Sequence, residues 1–403
     1  MRRILLLSVP FLIAADWPQH LGPSRNSHST ETGLLRIWPK EGPTILWKKD
    51  IGSGWAGPVV VGDRLIAFHR IESEEIIECL DPANGKSLWR VAHRTRYVDD
   101  FNFDEGPRST PIVEGNAVFT LGADGDLRAC ALDSGKLLWE RNVNKDYSVA
   151  KGFFGAATSP LVVDGMLLVN VGGKGASVVA FDIKTGDEKW KSGDDAVSYS
   201  SPVLGKLGGE ELAIFFTREG LLAVKPVNGE IRYQHPWRPR LQASVNAATP
   251  IASDGRVYLS TSYGTGAIVL EVNKGKLESV WEGDKSISNH YSTPVLVKGF
   301  LYGIDGRQEG GRATLCCVAW STGKVRWTEK NFGCAGLIHA DGLILACREN
   351  GNVVLLDPSP ESYKELAQAS VLDSPVRAHP ALANGRLFVR DSKKLIALKV
   401  GGK

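Results

Sequence analysis

Ala180-Phe181-Asp182-Ile183-Lys184-Thr185-Gly186-Asp187-Glu188-Lys189-Trp190 is the stretch from which the architecture can be read. An apolar run ends at Asp182, a Thr-Gly turn follows, and Trp190 stands four residues past Gly186. The pattern predicts two antiparallel strands joined by a tight turn. The Asp side chain accepts hydrogen bonds from the turn backbone, and the Gly supplies a positive φ that a residue with a Cβ resists. The Trp then projects from the last strand as a large apolar anchor.

The pattern recurs along the chain, and a repeat at this spacing decides the fold. Cys79-Leu80-Asp81 leads through Asn84-Gly85 to Trp89, and Leu132-Asp133 through Ser134-Gly135 to Trp139. Asn228-Gly229 leads to Tyr233 and Thr322-Gly323 to Trp327, whereas Lys274-Gly275 reaches Trp281 two residues late. Asp357 begins a degraded copy that ends near Leu366, and Trp47 has no hairpin before it.

Between these copies lies a second landmark, a small residue or Ser/Thr before Pro that opens an apolar strand. It occurs at Gly57-Pro58, Thr110-Pro111, Ser159-Pro160, Ser201-Pro202, Thr249-Pro250, Thr293-Pro294 and His379-Pro380, with Cys334-Ala335 filling the slot without Pro. Hairpin turns such as Asp164-Gly165, Asp254-Gly255 and Asn384-Gly385 follow. Each unit is therefore four short strands with a period of roughly 40–50 residues, the size of a propeller blade. Starts and ends are offset: the Trp47 strand comes first, and the strands after Pro380 lack a Trp strand. Joining these fragments completes a blade and removes exposed sheet edges. The expected fold is all-β, an eight-bladed β-propeller of four-stranded antiparallel blades over residues 45–400, its ring closed by the N-terminal strand.

Residues 1–15 read as a secretory signal peptide, with Arg2-Arg3 before an apolar core and Ala14-Ala15 as a small-residue cleavage site. The run is well short of the ~20 residues of a spanning helix, so stable membrane insertion is not expected after cleavage. Residues 16–44 are an irregular Pro/Gly/Ser-rich lead, expected to lie on the propeller surface. The formal charge of +3 argues against a nucleic-acid partner. Gly52-Ser53-Gly54-Trp55-Ala56-Gly57 has dinucleotide spacing but precedes a strand and not a helix. Of the 6 cysteines, Cys79 and Cys317 occupy the slot of Ala180 and read as small buried strand residues. Cys334 and Cys347 could pair in an oxidising compartment, while a bond between the adjacent Cys316 and Cys317 needs a distorted backbone.

The stretch from Ala180 to Trp190, with Cys79 to Trp89 and Cys317 to Trp327, resembles the tryptophan-docking motif of the PQQ (pyrroloquinoline quinone) propeller repeat. The resemblance covers nearly the whole mature chain. It implies that Trp47, Trp89, Trp139, Trp190, Tyr233, Trp281 and Trp327 dock each blade on its neighbour. Two unlike groups share the repeat: quinoprotein alcohol dehydrogenases and BamB-like periplasmic propellers of the outer-membrane barrel-assembly machine. Fold does not choose between them. The dehydrogenases are longer, with insertions that cover the cofactor and hold calcium, and this chain shows no evident calcium set of Glu, Asn and Asp. It also lacks the lipidated Cys of the assembly proteins. Cys316-Cys317 resembles the adjacent pair of several such enzymes, but its place on a blade strand favours a core role.

In a propeller, the residues just before each first strand crowd around the axis at one face. Here they include Trp55, Arg108, Ser109, Tyr199, Asn246, Asn289, His290, Tyr291, Arg377 and His379. Guanidinium groups and aromatic planes converging there could hold an anionic planar ligand such as PQQ; otherwise these groups satisfy one another and buried water. Asp99, Asp100, Asp104 and Glu105 form an acidic cluster, expected to be solvated, as is Asp194-Asp195. No catalytic residue and no metal-ligand set emerges from motif spacing. The favoured reading is a periplasmic or secreted binding or scaffold propeller with envelope protein partners. The alternative is a compact PQQ- and calcium-dependent alcohol dehydrogenase, with an Asp as general base and calcium polarising the quinone.

Overall fold

A computed structural model describes residues 16–309, 312–373 and 375–401. The expected signal peptide lies outside the described residues. Eight four-stranded antiparallel sheets are arranged as an eight-bladed β-propeller, with one short helical turn, Val143–Asp146, after blade 2. Blades 1 to 7 span residues 59–94, 112–142, 161–192, 203–236, 251–283, 295–329 and 335–370. Blade 8 joins both ends of the propeller: Ala381–Ala383, Arg386–Arg390 and Lys394–Lys399 are completed by Ile45–Asp50, which pairs antiparallel with Lys394–Lys399.

Burial follows position within each blade. Third strands such as Glu74–Leu80 and Ala176–Asp182 are buried on nearly every residue, because both faces meet other blades. Outer strands such as Ile231–Pro236 alternate exposed and half-buried residues. The apolar clusters accordingly lie in the seams. Phe119, Leu121 and Trp139 of blade 2 pack with Leu167, Val179 and Phe181 of blade 3, and similar clusters fill the other seams.

The seams are fastened by one repeated contact. In blade 3, Asp182 Oδ1 accepts from the amides of Lys184 (2.8 Å) and Thr185, and Gly186 N donates to Asp182 O. Gly186 has φ +74, and a Cβ there would stand 2.7 Å from the Trp139 ring of blade 2. The Trp139 indole N–H donates to Ile183 O of the same turn at 3.0 Å. The other tryptophans do likewise: Trp47 to Pro82, Trp89 to Leu132, Trp190 to Pro226, Trp281 to Trp320 and Trp327 to Ser359. A register shift between third and fourth strands, repeated in every blade, places each anchor. Opposite the anchors stand small residues, Cys79 across from Trp89, Ala129 from Trp139 and Cys317 from Trp327.

Three seams depart from this scheme. Trp327 keeps its carbonyl bond but docks on Pro358-Ser359-Pro360, a turn with no glycine. Tyr233 packs with Val272 of blade 5 without sitting on a turn glycine, for Gly275 has open space around its Cβ position. Blade 7 has Ala367 where the others have the anchor. There the lead takes over: Trp38 joins the cluster of Ala369 and Val400, and Leu35 N bonds Val400 O at 2.8 Å.

The lead does not lie on the surface. It threads the axial channel. Asp16 accepts from Gly62 N in the first turn of blade 1, and Trp17 pairs with Val60 while buried to 1% exposure. The chain then rises to His20, which meets Thr249 Oγ1 at 3.1 Å. It turns through Arg25, whose guanidinium bonds Ser159 O and Pro160 O, and descends past His28 to Leu34, at the blade 7 turn. The apolar residues Trp17 and Leu21 explain this course, because an open axis would leave them in water. All six cysteines are buried free thiols. Cys334 lies opposite Glu349, two positions along from Cys347, and the two thiols are not joined.

The docking contact predicts coupled substitutions. Trp139→Ala is expected to destabilise by about 3–5 kcal/mol, and Gly186→Ala by about 1–3 kcal/mol through its positive φ and the clash with the indole. In urea unfolding the double variant should lose less than the sum, because removing the ring removes the clash. Strict additivity would show that ring and turn do not touch.

Candidate functional site

The residues that open the first strands form a hydrogen-bonded girdle around the axis. Gly57 N donates to Thr110 Oγ1 (3.0 Å), Thr110 N to Ser159 Oγ (2.8 Å) and Ser159 N to Ser201 Oγ (2.9 Å), each reaching the next blade. Across the ring Thr249 N donates to Thr293 Oγ1 at 2.9 Å. This gives the Ser/Thr-Pro steps a role in binding blade to blade. Pro carries no N–H and opens the strand without needing a partner.

Within the girdle lies a cavity of about 190 Å³. Its floor is His20 and Leu21, the top of the threaded lead, beside His379. Trp55, Arg108, Tyr199, His290, Tyr291 and Arg377 converge on its walls. Ser109, Asn246 and Asn289, expected on the same wall, do not line it. Asn246 donates to Thr217 O, and Asn289 accepts from Tyr258 and donates to Ile304 O, so both amides brace loops behind the site.

The two arginines are already paired. Arg108 Nη2 meets Asp99 Oδ2 at 3.0 Å and donates to Asp104 O at 2.7 Å. Arg377 Nε meets Glu349 Oε1 at 2.5 Å. Both guanidinium groups also stack over Trp55, at 4.6 and 4.7 Å from its ring centroid. The expectation of a solvated acidic cluster fails for Asp99, whereas the Asp100 and Glu105 side chains are 61% and 44% exposed. The Asp99 side chain is fully buried and accepts from Phe101 N, Phe103 N and Asp104 N. Burial alone would raise its carboxyl, but those amides and Arg108 hold it below the ordinary carboxylate range. Asp104 caps Gly54 N and Gly106 N, Asp100 pairs with Lys151, and Glu105 with Arg70. Asp194 accepts from Gly175 N and Asp195 from Thr217 Oγ1. The acidic residues therefore build loops.

The histidines are neutral. His290 Nδ1 lies 2.9 Å from Gln308 Oε1 and Nε2 lies 3.0 Å from Tyr263 Oη, which assigns Nδ1 as donor and Nε2 as acceptor. His379 faces a carbonyl oxygen from each ring nitrogen, Nδ1 at 2.9 Å from Pro380 O and Nε2 at 3.2 Å from Leu337 O, with Ser27 Oγ also 3.2 Å from Nε2. Burial pushes both rings down to about 4, helped at His290 by Arg307. His20 is also held well below its usual value by burial, Arg25 and His379.

Four side chains are prominent among the contributors that sequence reading missed. Phe103 and Phe154 reach the wall from the loops after blades 1 and 2, and His20 and Leu21 arrive from the lead. The Phe-rich composition near Asp99 was the available signal for the first pair. Around the mouth, Phe101 (48% exposed), Phe103 (53%) and Phe153 (37%) pack with Phe154 at ring distances of 5.3 to 6.4 Å.

This set does not suit PQQ. A tricarboxylate needs free cations, and both lining arginines are neutralised by Asp99 and Glu349 while the histidines are uncharged. Among the described residues no group of three or more His, Cys, Asp or Glu side chains is arranged to hold a metal ion.

Comparison with known proteins agrees with the repeat. The profile of the family described as "Outer membrane protein assembly factor BamB" matches residues 73–329, more than half of the chain. The protein of that name from Moranella endobia is 23% identical over 266 residues, 61% of this chain. The match spans 63% of that relative's length. In structure, BamB from Moraxella catarrhalis superposes with a TM-score of 0.64 at 13% identity, covering 88% of this chain and 97% of that one. A europium-containing methanol dehydrogenase gives 0.68 at 13% identity, covering 95% and 89%. These structural likenesses establish the shared fold.

The neutral histidines make stability depend on pH. Between about 4 and the unfolded value near 6.5, the unfolded chain binds protons that folded His20, His290 and His379 refuse. Stability is therefore full above about pH 6.5 and lost as pH falls toward 4, by up to about 1.4 kcal/mol per pH unit for each histidine. Urea unfolding at pH 7, 6 and 5 should show this decline. His290→Gln should flatten the slope; an unchanged slope in that variant would show that His290 is charged or solvated.

Proposed function

Because the chain belongs to the family described as outer membrane protein assembly factor BamB, we propose that it is a binding propeller without catalytic activity, which meets polypeptide partners of the cell envelope. The partner class is taken over from the relatives' name, and a periplasmic or secreted location accords with the signal-like residues 1–15. No helix among the described residues is long and apolar enough to cross a membrane.

One observation carries the reading: an exposed aromatic surface lies at the mouth of a cavity whose charges are internally spent. Phe101 and Phe103 stand on a loop braced by buried Asp99 and Phe153 on one whose amide donates to Tyr199 Oη, so the apolar surface is held in place and does not collapse into the core. Apolar patches of this kind on a folded chain mark contact sites. Two further facts weigh against an oxidoreductase. Arg108 and Arg377 have no free charge to offer PQQ, and Cys316 and Cys317 are buried thiols on a regular strand, bonded in register to Gly303 and Tyr302.

The test uses a urea-unfolded outer-membrane β-barrel protein, diluted onto the purified chain and followed by fluorescence anisotropy. Saturable binding is expected. The Phe101→Ser, Phe153→Ser double variant should weaken it at least tenfold without lowering the unfolding midpoint, since both rings face solvent. Saturable micromolar binding of PQQ in the presence of calcium, with oxidation of an alcohol, would overturn the reading.

A further inference from the structure

The cavity has a size and polarity of its own, distinct from the rim above it. At about 190 Å³ it is slightly larger than the ~150 Å³ apolar cavity that takes up benzene. It therefore has room for one aromatic ring. The surfaces left free for a guest are Leu21, Phe154, Tyr199 and Tyr291, because Trp55 is already covered by two guanidinium groups. Arg108 and Arg377 are matched by Asp99 and Glu349, so an uncharged guest complements the wall and an ionic one does not. Ser292 lines the same space, and its hydroxyl is buried without a hydrogen-bond partner. Arg108 Nε is likewise buried without a partner, so the wall offers polar groups suited to a phenol or to one backbone group at the edge of a ring.

The geometry points to a socket for one aromatic side chain, Phe or Tyr, of a polypeptide that lies across the phenylalanine rim. This rests on the reading of the protein as a binding propeller and names what the site takes. A free ring would fill the cavity but leave Phe101 and Phe153 in water. A side chain carried on a polypeptide brings flanking residues that cover them. Affinity then comes from two parts: the rim gives contact that tolerates many sequences, and the socket adds preference for an aromatic residue.

Two labelled twelve-residue peptides, identical except for a central Phe or Ser, are titrated onto the full chain by anisotropy. The Phe peptide should bind at least tenfold more tightly, and p-cresol should compete with it. Ala247→Trp places a ring in the cavity from its own wall and should bring the Phe peptide to the level of the Ser peptide. Ala157→Phe repeats the test from the loop before blade 3 should the first variant fail to fold, and p-cresol competition needs no variant. Equal binding of both peptides, unaffected by Ala247→Trp, would overturn the socket while leaving the rim as a contact surface. Binding of p-cresol without binding of the Phe peptide would overturn the polypeptide guest. Failure of both peptides while the unfolded barrel protein still binds would overturn the socket alone. Failure of that protein too would remove the binding reading itself.

Discussion

An indole lying on a glycine turn of the next blade is the contact on which the rest of the molecule depends. A four-stranded blade leaves apolar residues on both faces, and neither is satisfied until a neighbour covers it. The Trp139–Gly186 contact does this in three ways at once. The ring covers the turn, the indole N–H satisfies the Ile183 carbonyl, and the absent Cβ lets them approach. The same step, repeated in five of the seams, sets the angle between those blades and hence the width of the axis. Funnel, girdle and cavity are consequences of that angle.

The blade pattern was legible because its determinants are local. Asp182, Gly186 and Trp190 lie within one hairpin, and the offset between first and last fragments required the composite blade 8. The anchor of blade 5 was legible too, even though its longer hairpin delays Trp281 by two residues, because Trp281 still reaches the Trp320 carbonyl. What escaped was non-local. Nothing near Arg377 announces Glu349 in the turn after Leu343–Arg348, and nothing near Arg108 shows that Asp99 will turn inward to accept three backbone amides. A charge read without its partner looks available for a ligand. The lead was misjudged for a related reason: its lack of strand periodicity suggested a surface segment, whereas Trp17 and Leu21 needed an apolar place that only the closed ring provides.

The cysteines show how one residue type can invite the wrong chemistry. Cys79 and Cys317 face Trp89 and Trp327 across the third and fourth strands, where Ala129 and Ala180 stand in other blades. The requirement is for a small apolar side chain opposite a large ring, and a thiol meets it as well as a methyl. Cys316 is adjacent in sequence but points to the other face of the sheet, into the seam with blade 5.

Ring closure by Ile45–Asp50 also imposes an order in time. This strand is made early, yet its partner Lys394–Lys399 is made after all the other blade strands. Blades 1 to 7 can stack on one another as they emerge, each needing only its neighbour. The N-terminal strand and the lead cannot take their places until the last hairpin exists, and contacts so distant in sequence form slowly. Until then Trp47 and the far edge of blade 8 stay exposed, and the axis is open. The cavity floor is therefore among the last features to form, and a chain cut short near its C-terminus would keep most of its blades but have no site.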